Sequence, residues 1–219
     1  MKTSTARRRP LLWTHERQAQ AMGFARVAGV DEVGLGPLAG PAVAAAVVLP
    51  LGIRVPGLND SKQLRPADRE RIAEIIRRRA VAWTVAEVSP EDIDLKGLTK
   101  ARQRAMREAV QALVQPPDYL LIDAWEIPDL PLPQLAMIKG DTISASIMAA
   151  SVVAKVYRDA LMVKYDQLYP GYGFAAHKGY GTVAHCQVLR QLGPSPIHRL
   201  SYAPVKAVIE RGQCCDPGP

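Results

Sequence analysis

Four acids stand where apolar runs meet loops. Asp31 and Glu32 sit side by side in "GVDEVGLGP", Asp123 ends "YLLID", and Asp141 follows "MIKG". Each has an ordinary structural use open to it. Asp141 can N-cap a helix starting at Thr142, Asp123 can bond its own turn, and Asp31 can accept from the glycine amides after it. Gathered in one cleft, four carboxylates repel and raise one another's pKa. Divalent cations relieve that repulsion, and hard oxygen donors suit Mg²⁺ or Mn²⁺ and disfavour zinc. Neighbours on a regular strand point to opposite faces, so Asp31 and Glu32 reach one metal cluster together if the chain kinks at Gly34.

The surrounding loops carry groups suited to a phosphate backbone. Gly34 and Gly36 bracket Leu35, and glycines let the backbone approach a ligand and present N–H groups to it. "NDSK" offers the Ser61 hydroxyl and the Lys62 ammonium; "HKGYGT" offers Lys178, Tyr180 and Thr182. A tyrosine can stack on a sugar or base while its hydroxyl hydrogen-bonds. The plainer alternatives are a solvated loop and a packing tyrosine. His177, His185 and His198 read as surface or packing residues, not ligands.

Strands, followed by strands alternating with helices, must position these groups. Residues 25 to 49 read as two β-branched strands joined through "EVGLGPLAGP", 80 to 88 as a third, "DYLLIDAW" and "LPQLAMIKGD" as two more. Helical spacing covers 66 to 79, 97 to 114, 142 to about 168, 183 to 192 and 204 to 210. The pattern is α/β, a layered domain with a mixed sheet and a small helical C-terminal region from about Tyr169. In chain order we expect a flexible basic arm over 1–20, a catalytic domain over 21–168, a helical region over 169–211 packed on it, and a tail over 212–219.

Composition narrows the class. The 219 residues are 48% hydrophobic, enough for a real core and too many for a mainly disordered chain. Active clefts of open α/β sheets form where strands end, which is where the acids lie. Three cysteines, two of them adjacent at Cys214 and Cys215, give neither a disulfide framework nor zinc spacing, and point to reduced thiols in a cytoplasm. No apolar run reaches a membrane span, so no membrane partner is expected. The net charge of +7 favours a polyanionic partner, and Lys2, Arg7, Arg8 and Arg9 concentrate it in the arm.

The blocks "GVDEVGLGPLAGPAVAAAVVL", "LNDSKQL", "LLIDAW", "IKGDTISASIMAASVVAKVYRD", "YGFAAHKGYGT" and "HRLSYAPV" resemble bacterial ribonuclease HII, the type 2 ribonucleases H. They occur in that family's order from about Arg26 to Val205. The resemblance implies an RNase H-like fold, a mixed five-stranded sheet flanked by helices with a helical C-terminal region. It implies endonucleolytic cleavage of RNA in RNA/DNA hybrids and incision at ribonucleotides embedded in duplex DNA, leaving 5′-phosphate and 3′-hydroxyl ends. By matching motifs, the catalytic and metal-binding set falls on Asp31, Glu32, Asp123 and Asp141, with two Mg²⁺ or Mn²⁺ ions expected on substrate binding. Substrate contacts fall on Gly34, Leu35, Gly36, Ser61, Lys62, Lys178 and Tyr180, Tyr180 matching a substrate-sensing tyrosine. A monomer in the cytoplasm is expected.

One departure stands out. The family usually has Gly-Arg-Gly-Pro where this chain has Gly34-Leu35-Gly36-Pro37. The backbone amides that can meet a ribose 2′-OH survive, while a guanidinium able to fork onto phosphate is gone. That loss bears on incision at a single embedded ribonucleotide more than on hydrolysis itself.

Overall fold

A computed structural model describes residues 13–59 and 61–210. The basic residues Lys2, Arg7, Arg8 and Arg9, and Cys214 and Cys215, lie outside the described residues. Strands β1 (Val27–Val33), β2 (Ala42–Val48), β3 (Ala82–Val88), β4 (Tyr119–Asp123) and β5 (Gln134–Met137) form one sheet in the order β3-β2-β1-β4-β5. The first three run antiparallel as a meander; β4 runs parallel to β1, and β5 parallel to β4. The mixed sheet expected from the sequence is thus present, and β1 lies at its centre.

Burial explains the strand sequences. Every residue of β2, "AVAAAVV", is buried, as a strand covered on both faces requires. On one face Ala28, Val30, Ala42, Ala44 and Ala46 pack against Ala101, Ala105 and Ala109 of helix α4 (Leu98–Gln111). On the other, Val43, Ala45 and Val47 meet Ile72 and Ile76 of α2 (Pro66–Arg79) and Ala149, Val152 and Val153 of α6 (Ala145–Leu168). Pro66 opens α2 at a position where its missing N–H costs nothing.

Three elements before the C-terminal region depart from the sequence expectation. Residues Thr14–Ala21 form helix α1, so the arm expected to reach residue 20 is replaced by a helix from Thr14. The helix expected over 97–114 is preceded by α3 (Pro90–Lys96), capped by the Ser89 side chain on the Asp92 N–H, with Gly97 at the break. The helix expected from Thr142 is interrupted: one turn, α5 (Gly140–Ile143), gives way to an extended Ser144, which N-caps α6 by accepting from the Ile147 N–H. The buried Glu16 of α1 sets that break, its Oε1 accepting from Ser144 Oγ at 2.7 Å and from the Ser146 N–H at 2.9 Å. A carboxylate there satisfies otherwise orphaned donors and complements the positive helix end. Asp141 therefore does not cap the long helix.

The C-terminal region contains α7 (Phe174–His177), one turn inside a stretch expected to be loop, then α8 (Val183–Leu192) and α9 (Ala203–Glu210). No helix among the described residues is long and apolar enough to cross a membrane.

Helix α6 crosses β1 backbone to backbone at Gly29. A Cβ built there would lie 2.0 Å from the Ser146 carbonyl carbon, a contact no rotamer relieves. Gly29→Ala is expected to cost about 3 kcal/mol, the upper end for overpacking, or roughly 6–12 °C in Tm for a chain of this size. Thermal melts of the two proteins check it.

Candidate active site

The sheet register brings the acids together. Pairing of Val30 with Ile122 places the next residues, Asp31 and Asp123, side by side on parallel strands. Both share the α6 face, since Leu121, two residues before Asp123, packs on Ile147. The Asp123 Oδ1 accepts from the Gly140 N–H at 2.7 Å, which draws the start of α5, and with it Asp141, to the end of β4. Glu32 faces the opposite side, with Val30 and the α4 residues. The strand carries on through Val33, so the two neighbouring acids flank the sheet instead of leaving it together at a kink.

Burial and neighbouring charge act on three of these acids. Burial, then the Glu32 charge, push the Asp31 carboxyl well above its ordinary range. Burial raises Glu32 to about 7, with Arg102 opposing and Asp123 adding to the rise. Burial and then Asp141 raise Asp123. An ammonium partly compensates: Lys62 Nζ stands 3.1 Å from Asp141 Oδ2. Asp31 also accepts from the Glu32 N–H at 2.8 Å and hydrogen-bonds Ser151, whose hydroxyl lies 2.9 Å from that of Ser61. Ser61 is thus buried, and its hydroxyl is turned to Ser151, not to the surface where a phosphate would lie.

The donor set fits divalent cations. All four side chains offer hard oxygens, burial and neighbouring acids push Asp31, Glu32 and Asp123 up, and Glu32 Oε2 is buried without a hydrogen-bond partner among the described residues. Among the described residues no three acidic, histidine or cysteine side chains are gathered tightly enough to hold an ion as they stand.

Two buried arginines hold the glycine loop over this cluster. Arg199 donates to the carbonyls of Gly34, Leu35 and Gly40 and to the Tyr202 hydroxyl. Arg158 donates to the carbonyls of Pro41, Ala39 and Lys178. Gly34 has φ +87°, and a Cβ there would lie 2.2 Å from Arg158 Nε. Gly36 differs, because a Cβ there would meet open space. The Leu35 side chain is folded against the α4-side core with Tyr202.

The second loop is tied to the first. The Leu38 N–H donates to Gly179 O at 2.8 Å. Tyr180 is 41% exposed and lies under Lys155 and Arg158, each 5.9 Å from its ring. Lys178 points its ammonium toward Asp159 O at 3.4 Å, beside that loop and away from the acids. The histidines brace the loop from below. His185 Nδ1 donates to Tyr180 O, which leaves its Nε2 to accept from His198 Nε2, while His198 Nδ1 accepts from the Ser195 N–H. Burial lowers His185 and, with the neighbouring His185, lowers His198 to about 4, so the relay is neutral.

Sequence reasoning missed Ser151, Arg158, Arg199 and Arg102. Only Ser151 carried a signal, a hydroxyl among small apolar residues on the buried stripe of a helix. The arginines read as surface charge because nothing local shows which carbonyls lie above them.

The family model for ribonuclease HII matches residues 28–205. Ribonuclease HII of Geobacter sulfurreducens is 49% identical over 205 residues, 94% of each chain. That of Moorella thermoacetica is 50% identical over 191 residues, 87% of this chain and 93% of the other. The crystal structure of ribonuclease H2 from Pyrococcus horikoshii superimposes with a TM-score of 0.73 at 27% identity, covering 85% of this chain and 98% of that one.

The raised acids make stability pH-dependent in the metal-free protein. A carboxyl with a folded pKa above its unfolded one binds more protons when folded, so stability falls as pH rises from the unfolded to the folded value. For Glu32 that window runs from 4.5 to about 7. Glu32→Gln is expected to raise Tm by several degrees at pH 8 and to leave it unchanged near pH 4. Melts in chelator at both pH values check it.

Proposed function

Because the chain belongs to the ribonuclease HII family, and is a ribonuclease H acting on RNA/DNA hybrids, we propose that its four acids carry the hydrolysis with two Mg²⁺ or Mn²⁺ ions, and that it also incises at ribonucleotides embedded in duplex DNA. The observation that carries this reading is the juxtaposition of Asp31 and Asp123 on adjacent parallel strands, with Asp141 drawn to them through Gly140. Asp31, Glu32, Asp123 and Asp141 would hold the divalent ions, which when bound would supply Lewis acidity for activating water and offsetting charge on the departing 3′-oxygen.

The chain's own groups do the rest. Asp31 and Asp123 hold the reacting centre on the α6 face, and Glu32 closes it from the α4 side. Lys62, 78% exposed at its side chain, stands at the mouth and binds phosphate as a point charge. Gly36 opens onto free space, so the strand's ribose meets backbone there, and the 2′-OH is the group that separates RNA from DNA. Tyr180 offers an exposed ring for stacking on the sugar or base. No side-chain nucleophile is required, since water attacks and the products are a 5′-phosphate and a 3′-hydroxyl.

Cleavage of three end-labelled duplexes tests the reading: all DNA, one embedded ribonucleotide, and a long RNA/DNA hybrid. The expected result is cutting of both ribose-containing duplexes, only with Mg²⁺ or Mn²⁺. Asp123→Asn is expected to lose at least about a hundredfold in turnover, the scale of several kcal/mol of transition-state charge stabilisation, while still binding the hybrid. Equal cutting of all-DNA duplex, or ordinary turnover by the Asn variant, would sink it.

A further inference from the structure

The glycine loop brings no side-chain cation to the α4 side of the cleft, since Leu35 is folded into the core. The arginines nearest in sequence or space are committed elsewhere. Arg26 donates to Pro116 O at 2.6 Å beyond the opposite end of β1. Arg158 and Arg199 are fully buried, with their donors on backbone carbonyls.

Arg102 is placed differently. It projects from α4, the helix that covers the Glu32 face of the sheet. Its Cζ lies 5.5 Å from the centroid of the Trp125 ring. Trp125 follows Asp123 by two residues, turned outward by Ala124 at φ +63°, and is 61% exposed. An indole that open to water is an unusual cost so close to a cluster of acids. The Arg102 Nε is buried and has no hydrogen-bond partner among the described residues. A phosphate oxygen is the acceptor best matched to a guanidinium fork, and a docked strand meets the outer edge of that fork, not its buried Nε. One docked nucleic-acid strand answers both features, its phosphate meeting the fork and its sugar or base covering the indole.

We infer that Arg102, braced on Trp125, takes a phosphate of the bound duplex on the α4 side of the cleft and supplies there the guanidinium that Leu35 does not. This rests on the proposed cleavage of ribose-containing duplexes at the four acids. Five donors in one plane let the side chain face Glu32 and a phosphate together. The ring behind it fixes the plane of the fork, which a lysine at this position would lack.

The test is anisotropy binding of a duplex with one embedded ribonucleotide, in the Asp123→Asn background, across a series of salt concentrations. Arg102→Ala is expected to weaken binding about tenfold and to lower the magnitude of the salt slope by about one. Arg102→Lys restores the slope while recovering only part of the affinity. Trp125→Ala, at an exposed position, keeps the wild-type Tm and weakens binding by a smaller factor without changing the slope. Should Arg102→Ala fail to fold, Arg102→Lys and Trp125→Ala still decide. Unchanged affinity in both of those, or wild-type affinity and slope in a folded Arg102→Ala, overturns the inference and leaves the cleavage reading standing. If wild-type protein cuts no ribose-containing duplex, the functional reading fails and the inference falls with it.

Discussion

The contact between α6 and β1 at Gly29 governs the geometry of the whole molecule. With no side chain between them, helix backbone and strand backbone approach as closely as atoms allow. That fixes the height of a 24-residue helix over the sheet, and several groups around the site hang from that helix. Asp141 lies just before its cap, Ser151 touches Asp31 one and a half turns beyond Gly29, and Arg158 reaches the glycine loop two turns further on. Glu16 completes the arrangement by holding the helix start from α1. A shift of the helix would move Asp141, the Ser151 partner of Asp31 and the Arg158 clamp at once.

Charge is distributed by the same logic. Buried arginines are tolerable where carbonyls satisfy their donors, and Arg199 and Arg158 each meet several. Burial lowers Arg158 to about 10, which still leaves it cationic at neutral pH. These two cations fasten the C-terminal region to the loop after β1, so a segment rich in turns is held as firmly as a strand. The acids have no such satisfaction. Three of them are pushed toward protonation by burial and by each other, and Lys62 offers only an exposed partner. A site left in that condition is poised to gain from a cation in a way that a finished salt-bridge network is not.

The sequence made the sheet, four of the main helices and the four acids legible, because each shows itself locally. Alternation or continuous burial marks a strand, 3.6-residue spacing marks a helix, and an acid after three apolar residues marks a strand end. The break at Ser144 was not legible, since its cause is Glu16, 128 residues away. The helix at Thr14–Ala21 was hidden for a related reason: its pattern is mostly polar, and what holds it is the buried pair of Ala19 and Glu16. Ser61 looked like a phosphate ligand because a serine beside a loop lysine has that appearance. Only the fold shows its hydroxyl meeting Ser151.

The glycine loop shows why a side chain can change there while the backbone does not. Gly34 is demanded by its positive φ and by Arg158, which occupies the space a Cβ would need. The Leu35 carbonyl is held twice, by Arg199 and by the Tyr202 hydroxyl, and neither bond involves the leucine side chain. Gly36 is held by no such crowding and stays open. The path of the loop is therefore set from beneath by two arginines and a tyrosine, independently of what residue 35 carries. With the backbone secured, the side chain at 35 is free to join the apolar cluster around Tyr202.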